Sequence, residues 1–243
     1  MADAPPPPPG GIQVLFEDDA VLVVDKPAGR LVIPGRGGDE TSLREELEAR
    51  FGRLWVVHRL DRGTTGVLLF ARTADAHRAA NLAFDRGEPR KRYLALVAGL
   101  PPPELRIDLA IAPARRGKMR PARPGDPRGK KAATRVRRLE SFPPHPWSGG
   151  PLALVEVLPE TGRTHQIRVH LAAKGIPLAV DPDYGDEGPL RGPDGRLLLE
   201  RTPLHADRLE LRHPSRGTEL VVEAPLPADM AATLEVLRAA GPG

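Results

Sequence analysis

The 243 residues carry 40% hydrophobic side chains but only 4% aromatic ones, no cysteine, and a net charge of +4. That length suits one large domain or two small ones with a core built mainly of Leu, Val and Ala, and the missing cysteine excludes disulfides, thiolate nucleophiles and Cys-ligated zinc. No run approaches the ~18 uncharged apolar residues of a membrane-spanning helix, and MADAPPPPPGG lacks the cationic end and apolar stretch of a secretory signal, so a cytoplasmic location is expected.

Five consecutive prolines predict a disordered or polyproline II tail over residues 1–11. IQVLFEDDAVLVVDKPAG then sets two apolar runs around Glu17-Asp18-Asp19, a hairpin pattern closed by Lys26-Pro27-Ala28-Gly29. PGRGGDE over 34–40 predicts a loop. Ser42 and Glu45 have capping-box spacing for a helix whose Leu43, Leu47 and Phe51 share one face. The apolar runs LWVV and VLLFA read as short buried strands on either side of HRLDRGTTG, residues 58–66. Asp61 is therefore expected in a loop between two strands, exposed yet carried on rigid supports.

Thr73 predicts an N-cap for ADAHRAANLAFDRG, with Ala79, Leu82 and Ala83 facing inward and Gly87 as the stop. RKRYLALVAG predicts a strand carrying Tyr93, and LRIDLAI continues in extended form. Residues 115–138 hold eleven Lys or Arg against one acid, Asp126, a local +10 that leaves −6 for the rest of the chain. Such a block points to a polyanionic partner; a solvated basic loop is the plainer alternative. Its prolines and glycines disfavour regular structure. ATRVRRLESF and PLALVEVLP resume as strands. Thr164 predicts the cap of a helix with Ile167 and Leu171 inward and Gly175 at its end. Residues 185–203 predict a loop, LHADRLEL and ELVVEAP predict alternating strands, and a last helix is expected after Pro227 with Met230, Leu234 and Leu237 inward. Hairpin-connected strands with a few helices favour an α+β fold over regular βαβ units.

Asp61, Tyr93 and Arg168 are the candidates for one site. A carboxylate in a cleft that excludes water tends to protonate, because burial raises its pKa by up to ~3–5 units from ~3.9. Keeping it charged requires a fixed cation, and arginine, always charged and able to bind carboxylate bidentately, suits that task. Tyr93 offers a face for a base to stack on. The same residues have plainer readings: Asp61 as a turn-former or ion-pair partner of Arg59, Tyr93 as a core residue, Arg168 as a surface or packing residue. His165 and His170 are five apart, not the four that aligns two ligands on a helix face, so no metal is expected. There is no Walker loop, GxGxxG or nucleophile-elbow serine. Residues alone define a basic, RNA- or DNA-handling α+β protein with a candidate carboxylate.

HRLDRGTTGVLLFART, KRYLALVAG and TGRTHQIRVHLAAKG, in that order and at these separations, strongly resemble the RluA family of RNA pseudouridine synthases, whose motifs are HRLD-x-x-TSG, K-x-Y-x-A and TGR-x-HQ-[IL]-R-V-H. The resemblance covers roughly residues 12–226, and PGRGG and GKKAAT add to it. It implies a mixed, largely antiparallel sheet with flanking helices and loops, and an isomerase acting on ribosomal or transfer RNA without cofactor or metal. It carries the catalytic aspartate onto Asp61, the active-site tyrosine onto Tyr93 and the aspartate-pairing arginine onto Arg168, with Arg59 expected to contact substrate. Thr65 replaces the usual serine but keeps a hydroxyl, and Val180 stands where the family often has glycine before Asp181. With about eleven residues before the first strand, the family's frequent S4-like domain is expected to be absent, leaving one catalytic domain over 12–243. The basic segment, through Lys118, Arg120, Arg123, Lys130 and Lys131, is expected to grip RNA in its place. A monomer is expected, without membrane association; the alternative function is a non-catalytic RNA-binding or ribosome-assembly factor on the same fold.

Overall fold

In the computed structural model the first two apolar runs form the predicted hairpin, β1 (Gln13–Glu17) and β2 (Val21–Lys26). Asp18 shapes its turn by accepting from the N–H groups of Ala20 and Val21. Residues 11–35, 40–185 and 188–241 are described; the proline-rich tail before residue 11 and residues 36–39 of the expected PGRGGDE loop lie outside them. The chain divides into two units, Met1–Arg90 with Ala206–Pro225 and Lys91–His205 with Leu226–Gly243.

In the first unit, α1 (Leu43–Phe51) starts at the predicted capping box: the Ser42 hydroxyl accepts from Glu45 N–H, and the Glu45 carboxylate accepts from Ser42 N–H. Leu43 and Leu47 are buried, as their four-residue spacing requires. β3 (Trp55–Val56) and β4 (Thr65–Ala71) are the strands around HRLDRGTTG, and both pair antiparallel. Every residue of β4, which lies between β2 and β13 (Leu204–Arg212), is buried. α2 (Ala74–Asp85) begins at Thr73, whose hydroxyl accepts from Ala76 N–H at 3.1 Å. Its inner face differs from the prediction. Ala76 and Ala80 are buried and Phe84 packs against the same core, whereas Leu82 is 49% exposed. Alanines at several phases left the rotation open, and the large Phe84 ring, four residues beyond Ala80, settles it.

In the second unit, β5 (Arg90–Ala98), β10 (Leu152–Pro159), β9 (Ala133–Phe142) and β6 (Glu104–Asp108) lie side by side in that order, with antiparallel pairing of β5–β10, β10–β9 and β9–β6. Contrary to the expectation of irregular structure, the basic segment starts with a separate hairpin, β7 (Ile111–Pro113) and β8 (Met119–Pro121), joined through a 3-10 turn at Arg115–Gly117. Burial of Ile111 beside Ala132 and Val169 gives this hairpin an apolar anchor that its prolines and glycines do not advertise. α3 (Gln166–Ala173) buries Ile167 and Leu171 as predicted, but Thr164 is not its cap. His165 occupies that position with a left-handed backbone, φ 52°, and Gln166 instead ties the start down: its side-chain oxygen accepts from Arg163 N–H and Thr161 Oγ1, and its amide nitrogen donates to Ala133 O and Thr134 Oγ1.

The expected loop over 185–203 likewise holds a short hairpin, β11 (Leu190–Arg191) and β12 (Leu197–Leu199), because Leu190, Leu198 and Leu199 share a core with Met230, Leu234 and Leu237 of α4 (Ala228–Ala239). β13 carries the chain back to the first unit, where it pairs with β14 (Glu219–Glu223), whose residues alternate in burial. The class is the expected α+β, with a largely antiparallel sheet core.

Candidate active site

The loop that carries Asp61 is held from beneath by a lysine. Lys26 ends β2 fully buried, and its ammonium donates to the carbonyls of Pro27 (2.9 Å), Arg62 (3.2 Å) and Thr64 (2.8 Å). Three N–H bonds and three carbonyls match the donor capacity of the group. Two of those carbonyls, one and three residues after Asp61, lie within HRLDRGTTG. The loop is closed further by Thr64 N–H to Asp61 O, by Gly29 N–H to Arg62 O and by Arg62 Nε–H to Gly29 O. His58 accepts from Leu69 N–H and stacks on Phe84 with ring centroids 5.0 Å apart. Gly66 has φ +110°, and a Cβ there would lie 2.1 Å from Ala206 O, so β13 closes on β4 only over a glycine. The result is a half-buried Asp61 beside an exposed Arg59, on a backbone with little freedom. A cavity of about 500 Å3 lined in part by Arg44, Trp55 and His77 also lies in this unit and includes neither Arg59 nor Asp61.

In the second unit, Tyr93 stands on β5 opposite Val157 and packs against the core that holds Ile167 and Leu171. Arg168, on α3, is 6% exposed and sits among acids. Its Nε and Nη2 bind both oxygens of Asp181 at 2.8 and 2.6 Å, and Nη2 also reaches Asp183 at 2.8 Å. The guanidinium lies 5.0 Å from the centroid of the Tyr184 ring. The Tyr184 hydroxyl accepts from Met119 N–H at 2.7 Å and lies 2.8 Å from His165 Nδ1. Burial acts to raise the Asp183 pKa, but hydrogen bonds from Arg168 and Lys118 outweigh it and hold the carboxyl below its usual range; burial pushes the Tyr184 phenol up. Val180 is buried in the α4 core, where a glycine would leave a hole.

The basic segment is not uniform. Lys118 pairs with Asp183 at 3.2 Å and Arg120 with Asp126. Arg123, Lys130 and Lys131 are exposed, as are Arg115, Arg116 and Arg128, the last also paired with Asp126 at 3.7 Å. Arg135 and Arg137, on β9, pair with Glu160 and Glu156. Only part of the local +10 therefore faces solvent uncommitted to those acids.

Sequence reasoning singled out Asp61, Arg59, Tyr93 and Arg168 but missed Lys26, Asp183 and Tyr184, and treated Asp181 only as a landmark. A lysine closing a run of valines was one available signal; two acids one residue apart followed by tyrosine, in DPDYG, was the other.

An antiparallel α+β scaffold presenting an aspartate loop and an acid-braced arginine matches a known class. A family model described as RNA pseudouridylate synthase matches residues 20–173. The chain belongs to that family, in agreement with the motif resemblance. Ribosomal large subunit pseudouridine synthase D of Nitrosomonas europaea is 39% identical over 236 residues, covering 93% of this chain and 65% of that protein. The protein of the same name from Xanthomonas campestris is 38% identical, covering 93% and 70%. The chain thus spans about two thirds of the length of these relatives. Among solved structures, Human RNA Pseudouridylate Synthase Domain Containing 4 is similar with a TM-score of 0.71 at 28% identity, covering 93% of each chain. Human RNA Pseudouridylate Synthase Domain Containing 1 gives 0.69 at 26%, covering 95% of this chain and 96% of that one.

Proposed function

We propose that this chain isomerises uridine to pseudouridine in RNA, with ribosomal RNA as the substrate class and Asp61 as the catalytic carboxylate. The observation that carries the reading is the braced loop: in a member of this family, HRLD puts its one acid on a backbone tied by the buried Lys26. The names of the relatives favour ribosomal over transfer RNA.

In this mechanism the N1–C1′ bond of the target uridine breaks, the uracil turns, and a C5–C1′ bond forms while the proton leaves C5 and N1 gains one. The target base is flipped out of its stack at a cost of a few kcal/mol. Stacking on Tyr93 offsets about 1–3 kcal/mol of that. Asp61 acts on the sugar or the base, Arg168 is the cation that keeps it ionised, and Arg59 contacts the substrate. The exposed Arg123, Lys130 and Lys131 hold phosphates.

Asp61→Asn is expected to keep RNA binding and to abolish tritium release from 5-tritiated uridine in ribosomal RNA. Full turnover by that variant refutes the role of Asp61. Tight, salt-sensitive RNA binding by the wild type with no pseudouridine in ribosomal or transfer RNA leaves the RNA-binding factor as the function.

A further inference from the structure

We infer that Asp181 and Tyr184 are positioning residues for Arg168, and that the Tyr184 hydroxyl ties that arginine to the basic β7–β8 hairpin, so that the hairpin and the arginine act as one piece. The inference rests on the proposed function for its catalytic consequence, but its geometry lies wholly within the second unit.

Arg168 approaches Asp181 side-on through Nε and Nη2, an arrangement that fixes the guanidinium plane as well as its position. Asp181 is itself fully buried and locked, since its Oδ1 also accepts from the N–H groups of Asp183 and Tyr184. The Tyr184 ring covers the guanidinium, so rotation of the plane would break both contacts at once. At the far end of the same ring, the hydroxyl accepts from Met119 N–H, the first residue of β8. One residue earlier, Lys118 reaches Asp183, the second acid on Arg168. Two independent links therefore run from consecutive residues of the hairpin to the acids and ring around one arginine. A hairpin anchored only for folding would need neither, because Ile111 already packs with Ala132 and Val169.

Tyr184→Phe keeps the ring under Arg168 and removes the hydroxyl's contacts with Met119 N–H and His165 Nδ1, whereas Lys118→Ser breaks the second link to the hairpin and leaves His165 untouched. Asp181→Asn keeps the shape and removes the charge. The Arg168 Nε–H resonance, assigned by its loss in Arg168→Lys, is expected to exchange slowly in the wild-type chain, and about tenfold faster in Tyr184→Phe and in Lys118→Ser. In turnover, Tyr184→Phe is expected to lower kcat about tenfold with KM for RNA unchanged, and Asp181→Asn to approach the ~100-fold loss that follows from misplacing a group by about 1 Å. Asp181→Glu is expected to restore part of it. Exchange unchanged in both Tyr184→Phe and Lys118→Ser overturns the tie. A kcat loss that appears only as the urea midpoint falls reduces these residues to fold stability and overturns the positioning role. Should the wild-type chain make no pseudouridine, the functional proposal fails, while the exchange measurement still decides the tie.

Discussion

Replacing Lys26 by methionine isolates what the buried ammonium does for the loop that carries Asp61. Methionine nearly matches the lysine stem in length and flexibility, so little packing is lost. Of the three carbonyls, Arg62 O keeps its bond from Gly29 N–H, whereas Pro27 O and Thr64 O lose the ammonium. Leaving a buried acceptor unsatisfied costs about 1–3 kcal/mol, so two give about 2–6 kcal/mol. Part of that is offset, because the variant no longer buries a charge. The net expectation is a destabilisation of about 1–4 kcal/mol, read as a lower urea midpoint. A second consequence is separable: at low temperature, where the variant remains folded, tritium release should fall while RNA affinity holds, because the loop bearing Asp61 has lost its brace. Lys26→Arg should not rescue, since a planar fork cannot aim three donors at three carbonyls converging on one point. A Lys26→Met chain with the wild-type urea midpoint and turnover would refute the bracing argument.

Gly66→Ala should be worse than any other single change in HRLDRGTTG: its left-handed φ alone costs about 1–3 kcal/mol, and the new Cβ, 2.1 Å from Ala206 O, forces β4 and β13 apart; soluble, cooperatively unfolding protein at wild-type yield would contradict the close approach. Exchanging Arg123, Lys130 and Lys131 for serine should flatten the salt dependence of RNA binding by about 0.7 per lost single-strand phosphate contact, and an unchanged slope would make them mere solvated surface. Burial, and secondarily the Arg163 guanidinium, hold the Lys91 ammonium below the ordinary lysine range. With the folded pKa below the unfolded one, the unfolded chain binds more protons between the two values, so stability rises with pH across that window. The urea midpoint of the wild type relative to Lys91→Met should therefore climb as pH rises towards 10, whereas a pH-independent difference would show that Lys91 is not desolvated.

Local rules read correctly wherever one segment supplied its own reason. The Ser42–Glu45 capping box, the Thr73 cap, the Gly87 and Gly175 stops and the hairpin around Asp18 each depend on atoms a few residues apart. The aspartate loop between two strands was legible for the same cause, apolar runs on both sides and turn residues between, although β3 is only half-buried where β4 is fully so. The α2 phase and the α3 cap were not, because Phe84 and Gln166 take their positions from partners elsewhere in the fold.

The amino-acid order by itself determined the class, through three short motifs whose spacing leaves little room for accident, and it nominated Asp61 and Arg168 as the acid and the arginine to test. What holds those side chains was decided only by the tertiary structure. Lys26 meets Thr64 across 38 residues, and Met119 meets Tyr184 across 65. A hydrogen bond acts over about 3 Å of space whatever the distance along the chain, so such partners leave no periodicity to read, and packing of the core alone brings them together.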